Sequence, residues 1–327
     1  AFDIDGTPLW RSEAVLPTPD NSRLRLAGPS LADLDADGWP EILVDDVLLD
    51  AAGRPLGRVP PGAMAVDLDL VGLSGDEGPP RPEIIGFGFA LKTHLEDRWL
   101  EPLWQFDGAA KGVGFNAVAN FDDDPYPEIV IVGDDGDVQI LHHNGTPLDR
   151  SRCFADTPIV RRQGRGGQGG PPVIADFDGD GRADFAVAGG KLFPARNTAG
   201  GVLWQLDTDD DNSGVTSATA FDFDGDGASE VVYADRSRLR LIDGRTGIPT
   251  WQTARPSLTT YEMPVVADVD GDAAADLVVG VGGTDANGNM SADAGLAVFD
   301  NPAWAPARPV WNQHSFAHTF VDDAGHI

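Results

Sequence analysis

The sequence predicts an all-β protein assembled from repeated units of four short antiparallel strands. Three observations carry that prediction. An acidic nonapeptide, clearest as DFDGDGRAD at 176–184, recurs with copies starting at 33, 67, 120, 176, 222 and 268. A short apolar strand candidate precedes each copy and another, rich in β-branched residues, follows it, as PPVIA and DFAVA do around the copy at 176. Helical periodicity of useful length is absent, and tryptophan-bearing segments close several units.

Along the chain, AFDIDGTPLW reads as strands three and four of a unit, with Trp10 in the tryptophan place. First strands are GPSLA, AMAV, FNAVA, PPVIA, TSATA and MPVVA; second strands are EILV, EIIGF, EIVIV, DFAVA, EVVYA and DLVVG. DVQILH, RLRLID and GLAVFD read as third strands, and HNGTP and DGRTGIP as the turns leaving two of them. PLW (102–104), VLW (202–204), PTW (249–251) and PVW (309–311) read as fourth strands. Four strands in a unit of about 45 residues make one blade of a β-propeller. Six units are visible, and AHTFVDDAGHI at the C-terminus is expected to complete the N-terminal strands as a composite blade. Seven blades are therefore favoured, because closing the ring through the termini leaves no exposed edge. Six blades, or an open solenoid, are the alternatives. Residues 1–327 are read as a single β-propeller domain. The chain opens in mid-strand, with no leader pattern in AFDIDGTPLW, and stops abruptly at DDAGHI, so it is expected to be a processed chain or a domain cut from a longer polypeptide.

The pattern of inner strand, D-x-D-x-D-G-x-x-[DE] and apolar strand resembles the FG-GAP/VCBS repeats of integrin-alpha-like propellers. SGVTSATAFDFDGDGASEVVYAD (213–235) and RPVWNQHSFAHTFVDDAGHI (308–327) resemble the bacterial extracellular branch of that family. The resemblance covers essentially the whole chain. It implies a ligand surface on the face opposite the acidic loops.

The loop chemistry points to calcium, which takes six to eight hard oxygen ligands. Alternate side chains Asp176, Asp178 and Asp180 converge only if the backbone turns around an ion, and Gly181 permits that turn. Asp184 closes the cage at position nine and at once begins a strand. An EF-hand instead places its last ligand at position twelve, inside a helix. By motif position the other candidates are Asp33, Asp35, Asp37 and Glu41; Asn120, Asp122, Asp124 and Glu128; Asp222, Asp224, Asp226 and Glu230; and Asp268, Asp270, Asp272 and Asp276. Pro125 and Ala273 replace the glycine in two of these. The copy at 67 has Asp67 and Asp69, then the insertion LVGLSGDEGPPRP before Glu83, and ordinary calcium binding is not expected there.

Net charge supports resident cations. The formal charge is −30, and five calcium ions would bring it to −20. At Kd near 10⁻⁴ M and about 2 mM ion, each site adds roughly 1.8 kcal/mol by linkage. About five structural calcium ions are therefore expected, in a compartment where calcium is millimolar, outside the cell or on its surface. Such acidity argues against nucleic acid or an anionic membrane as partner. No apolar run is long enough for a membrane span, and the single Cys153 excludes an internal disulfide framework.

In a meander, the turns between strands three and four share the face of the acidic loops. The remaining connections emerge opposite. ALKTHLEDRW (90–99), RRQGRGGQGGPP (161–172), DTDDDNSG (207–214) and GGTDANGNMSADAG (282–295) are assigned to that opposite face as candidate ligand loops. RQGRGGQGG lacks the G-K-[ST] of a phosphate loop. DTDDDNSG has no acid at its ninth position, Val215, so it reads as a polar loop. His142 and His143 read as an exposed turn. His314 and His318 would share a strand face, with too few further ligands for zinc. The tryptophans read as packing residues. No nucleophile elbow or H-E-x-x-H motif is present. The expected function is a non-enzymatic binding or adhesion module for a protein or glycan. The alternative is a carbohydrate-active propeller, a lectin or a polysaccharide lyase, for which Lys92, Lys111, Lys191 and Arg161 offer basic groups.

Overall fold

The computed structural model describes residues 1–3, 5–13, 29–44, 46–60, 62–68, 81–97, 99–106, 114–122, 124–133, 138–148, 169–210, 216–255, 257, 263–282 and 295–311. They form six antiparallel sheets. The first contains β1 (Ser30–Ala32), β2 (Glu41–Val44), β3 (Val47–Leu49) and β4 (Pro55–Arg58). The second contains β5 (Met64–Val66), β6 (Glu83–Gly86), β7 (Phe89–His94) and β8 (Trp99–Gln105), and the third β9 (Phe115–Ala119), β10 (Glu128–Val132) and β11 (Val138–His142). The fourth contains β12 (Val173–Ala175), β13 (Asp184–Ala186), β14 (Leu192–Arg196) and β15 (Val202–Asp207). The fifth contains β16 (Ala218–Phe221), β17 (Glu230–Ala234), β18 (Arg238–Ile242) and β19 (Pro249–Ala254), and the sixth β20 (Val265–Ala267), β21 (Asp276–Val281) and β22 (Gly295–Asp300). Within each sheet the strands lie in chain order, as in a propeller blade.

The first strands stand beside one another along the chain, β1 next to β5, β9 next to β12, β12 next to β16 and β16 next to β20. The core lies between neighbouring blades. Along β10, Ile129 and Ile131 pack toward blade two while Val130 and Val132 pack toward blade four. This is the two-residue alternation of a strand buried on both faces, and it explains why EIVIV is an unbroken apolar run after its acid.

Three tryptophans join blades in the same way. Trp104 of β8 lies over Gly145 of the third blade, Trp204 of β15 lies over Gly247 of the fifth, and Trp10 lies over Gly53 of the first. A Cβ at any of these glycines would fall within 2.4–2.6 Å of the indole, so only glycine fits. Trp104 donates to His143 O (2.8 Å) and Trp204 to Gly244 O (2.6 Å). Trp10 thus sits in the place of a fourth strand preceding blade one, on a short N-terminal hairpin closed by the Phe2–Pro8 bridge. The predicted C-terminal partner of that hairpin, 317–327, lies outside the described residues.

Two segments differ from the sequence expectation. PVW (309–311) is not a strand. Pro302, Pro306 and Pro309 lack the N–H groups a ladder needs, and the segment instead crosses the acidic loop of blade six, with Ala307 N bonded to Ala273 O and Asp268 N to Arg308 O. ALKTHLEDRW is not a connection on the opposite face. It belongs to the β7–β8 hairpin, because the second-to-third strand turn is only Phe87–Gly88. Its 95–97 turn therefore shares the acidic-loop face, where Thr93 donates to Leu34 O (3.0 Å).

Candidate metal centre

The acidic loops are set by one repeated register. The residue before the loop's first position pairs with the closing acid in every blade: Ala32 with Glu41, Val66 with Glu83, Ala119 with Glu128, Ala175 with Asp184, Phe221 with Glu230 and Ala267 with Asp276. Each closing carboxylate is buried and accepts a hydrogen bond from the N–H of the loop's second residue. The donors are Leu34 (2.9 Å), Leu68 (2.9 Å), Phe121 (2.7 Å), Phe177 (3.0 Å), Phe223 (2.8 Å) and Val269 (2.8 Å). The second copy keeps this bond across its insertion, although Asp69 lies outside the described residues.

In blade four, Asp176 ties the loop together by accepting from Gly179 N (2.7 Å), Asp180 N (3.1 Å) and Gly181 N (2.7 Å). Asp222 does the same for Gly225, Asp226 and Gly227. These bonds require the left-handed region at positions four and six, with φ of 80° and 83° at Gly179 and Gly181. In blade six the sixth position is Ala273, which keeps φ at 74° and still donates to Asp268 (3.1 Å). The sequence change therefore leaves the geometry in place and adds backbone strain.

Blade three solves the same turn differently. Pro125 has neither the N–H nor the φ of its counterparts, and the first position is Asn120 rather than aspartate. Asn120 Nδ2 donates to Asp124 O (2.6 Å), replacing a backbone donor and carboxylate acceptor by an amide donor and a carbonyl acceptor. The two departures from the motif are one coupled change.

In all five regular loops the structure brings predicted acids together. The groupings are Asp33, Asp35 and Asp37; Asp122, Asp124 and Glu128 with His142; Asp176, Asp178 and Asp180; Asp222, Asp224 and Glu230; and Asp268, Asp270 and Asp276. Within each, one ligand atom per residue lies within 4.8 Å of the others. Two oxygens opposite each other across a calcium ion would be about 4.6–5.2 Å apart, so the four oxygen-only sets fit such an ion. The electrostatics favour a cation as well. Burial, offset by the Leu34 N–H and reinforced by Asp35, Asp37 and Asp33, pushes the Glu41 carboxyl up to about 7. Burial and neighbouring loop acids do the same to Asp184 and Glu230, each up to about 7.

The sequence missed groups supplied from strand three. His142 pairs across the sheet with Glu128 and is half-buried rather than exposed, because the ring lies against the loop acids. Its Nδ1 is 3.3 Å from Glu128 Oε1 and 3.6 Å from Asp122 Oδ2. His143 stacks on Tyr126. Asp300 pairs with Asp276 in the same way, and its carboxyl, though exposed, is raised by partial desolvation at the loop and by Asp272, Asp276 and Asp270. In blade five Arg245, from the third-to-fourth strand turn, pairs with Asp226. These contacts place the outer turns on the acidic-loop face, as the meander requires.

On the opposite face, DTDDDNSG is described through Asp210. Asp209 N donates to Asp235 (3.0 Å), Asp210 is buried and accepts from Thr216, and Asp235 pairs with Arg240 (2.7 Å). The other two assigned loops lie mostly outside the described residues, as do His314, His318, Lys111 and Arg161. Trp39 and Trp99 depart from the packing role, being 67% and 52% exposed. Among the described residues no helix is long and apolar enough to cross a membrane.

Comparison with known proteins agrees with this architecture. Residues 120–187 and 195–279 match the FG-GAP-like repeat family. The V. cholerae biofilm matrix protein Bap1 has a similar structure, with a TM-score of 0.65 at 18% identity, covering 93% of this chain and 74% of that one. BBS1N in complex with ARL6DN gives 0.48 at 12% identity, covering 89% and 84%. The exotype rhamnogalacturonan lyase YesX gives 0.47 at 16%, covering 85% and 54%. No curated protein matches. The chain carries FG-GAP-like repeats over residues 120–187 and 195–279, within a β-propeller-like fold.

Proposed function

We propose that this chain is a calcium-stabilised, extracellular, non-enzymatic propeller that acts as a binding or adhesion module. The observation that carries the proposal is the set of regular loops on one face, each joining clustered acids to a buried closing carboxylate. Bound calcium supplies the positive charge these carboxylates lack. The loop residues do the rest. Asp176 and its counterparts fix the turn, and the closing acid links the ion to the start of strand two.

A rigid disc of this kind leaves the opposite face for a protein or glycan ligand. The likeness to Bap1, a biofilm matrix protein, supports a matrix or surface setting. Equilibrium dialysis at millimolar calcium tests the reading. At least four bound ions per chain are expected, with Asp178→Ala losing one. A chain that retains no calcium overturns it. Release of unsaturated sugar from an acidic polysaccharide would move the protein to the lyase class.

A further inference from the structure

We propose that the third loop, Asp122, Asp124 and Glu128 together with His142, is a site for a borderline divalent cation of the zinc type, unlike the oxygen-only loops around it. The inference rests on the reading that these loops hold cations and assigns a different ion to one of them. Among the described residues, this is the one candidate metal cluster containing a nitrogen ligand. Calcium takes oxygen ligands, whereas zinc and its neighbours accept imidazole nitrogen with carboxylate oxygen.

The geometry comes from two elements. The closing acid Glu128 begins β10, and the sheet register sets His142 of β11 directly across from it. Separations of 3.3 Å and 3.6 Å from His142 Nδ1 to Glu128 and Asp122 suit adjacent vertices of a tetrahedral site, about 3.3 Å apart for metal–ligand bonds near 2.0–2.1 Å. Glu128 Oε2 is held by Phe121 N, Asp122 Oδ1 by Asp124 N and Asp124 Oδ1 by Tyr126 N, which fixes all three carboxylates. The loop also lacks the first-position carboxylate of the others, since Asn120 is neutral. A site with fewer hard anionic oxygens and one imidazole loses calcium affinity and gains affinity for a softer ion.

The same cross-strand position varies between blades in a chemically consistent way. In blade six it is Asp300, a further oxygen beside the calcium-type acids. In blade two, extending the register of Ile84 with Leu91 by one residue sets Lys92 opposite Glu83, where a built-in cation suits a loop whose acid spacing is broken.

The test is a titration of the full chain with Co²⁺ in the presence of millimolar calcium, read by visible d–d absorption and checked by zinc competition. One equivalent of Co²⁺ with nitrogen and oxygen ligation is expected, displaced by zinc and retained against calcium. His142→Ala should weaken Co²⁺ at least tenfold and leave the calcium count unchanged, while His143→Ala retains the band. His142→Gln serves as a second variant that keeps a polar side chain. Co²⁺ displaced by calcium, or a band that survives both His142 variants, overturns the proposal and leaves His142 as a hydrogen-bond partner of Glu128 only. Loss of calcium at every loop would instead overturn the functional reading above.

Discussion

The fourth and third acidic loops begin from one motif and reach the same turn by different chemistry. The fourth uses glycine at positions four and six, and a carboxylate that gathers three backbone N–H groups. The third uses proline and an asparagine that donates instead of accepting. The fourth draws its acids from one nonapeptide, whereas the third adds a side chain from a strand fourteen residues downstream of its closing acid. The register of strands one and two fixes where an ion can sit. The residue that strand three offers across from the closing acid tunes which ion that is, or whether one is needed.

The largest expected effect separates charged loops with an ion from those without. In chelator, stability should fall as pH rises from 5 to 8. Glu41, Asp184 and Glu230 have folded-state carboxyl pKa values raised to about 7, so the folded chain holds protons that the unfolded chain has lost. Their contribution is present below the ordinary carboxylate range and is lost as pH passes through 7, on the order of 1 kcal/mol for each of the three loops. Saturating calcium should abolish this fall, as denaturation curves at both pH values would reveal.

Removing the first-position side chain probes the contrast directly. Asp176→Ala should cost roughly 2–3 kcal/mol, because three N–H groups and an ion lose their acceptor, and Asn120→Ala about 1 kcal/mol or less. Equal costs from urea denaturation would remove the distinction between the loops. Next in size is Lys92→Ala, expected to cost about 1–2 kcal/mol that calcium does not restore. The smallest effect is a gain. Ala273→Gly should stabilise by about 0.5–1 kcal/mol by relieving a positive-φ alanine, whereas Pro125→Gly should bring nothing unless combined with Asn120→Asp.

Much of this was legible in the sequence because ion coordination and strand alternation both impose fixed spacings. The acids at positions one, three, five and nine, and the β-branched runs that follow them, are local patterns, and in each regular loop the structure clusters three of those four positions. His142 and Asp300 were not legible as parts of the loops, because strand pairing rather than spacing carries them there. The 90–99 segment differs from its expected place for a related reason. A two-residue turn at Phe87–Gly88 leaves almost no sequence signal, so the hairpin looks like a loop in the sequence. The proline-rich run near 309 carried a tryptophan like its counterparts, but backbone donors decide whether a strand can form.

The central claim is that the acidic loops hold structural calcium, and calorimetric melting in chelator and in millimolar calcium tests it most directly. The midpoint should be higher by roughly 10 °C or more with calcium, from several sites worth about 1.8 kcal/mol each. An unchanged midpoint would contradict it.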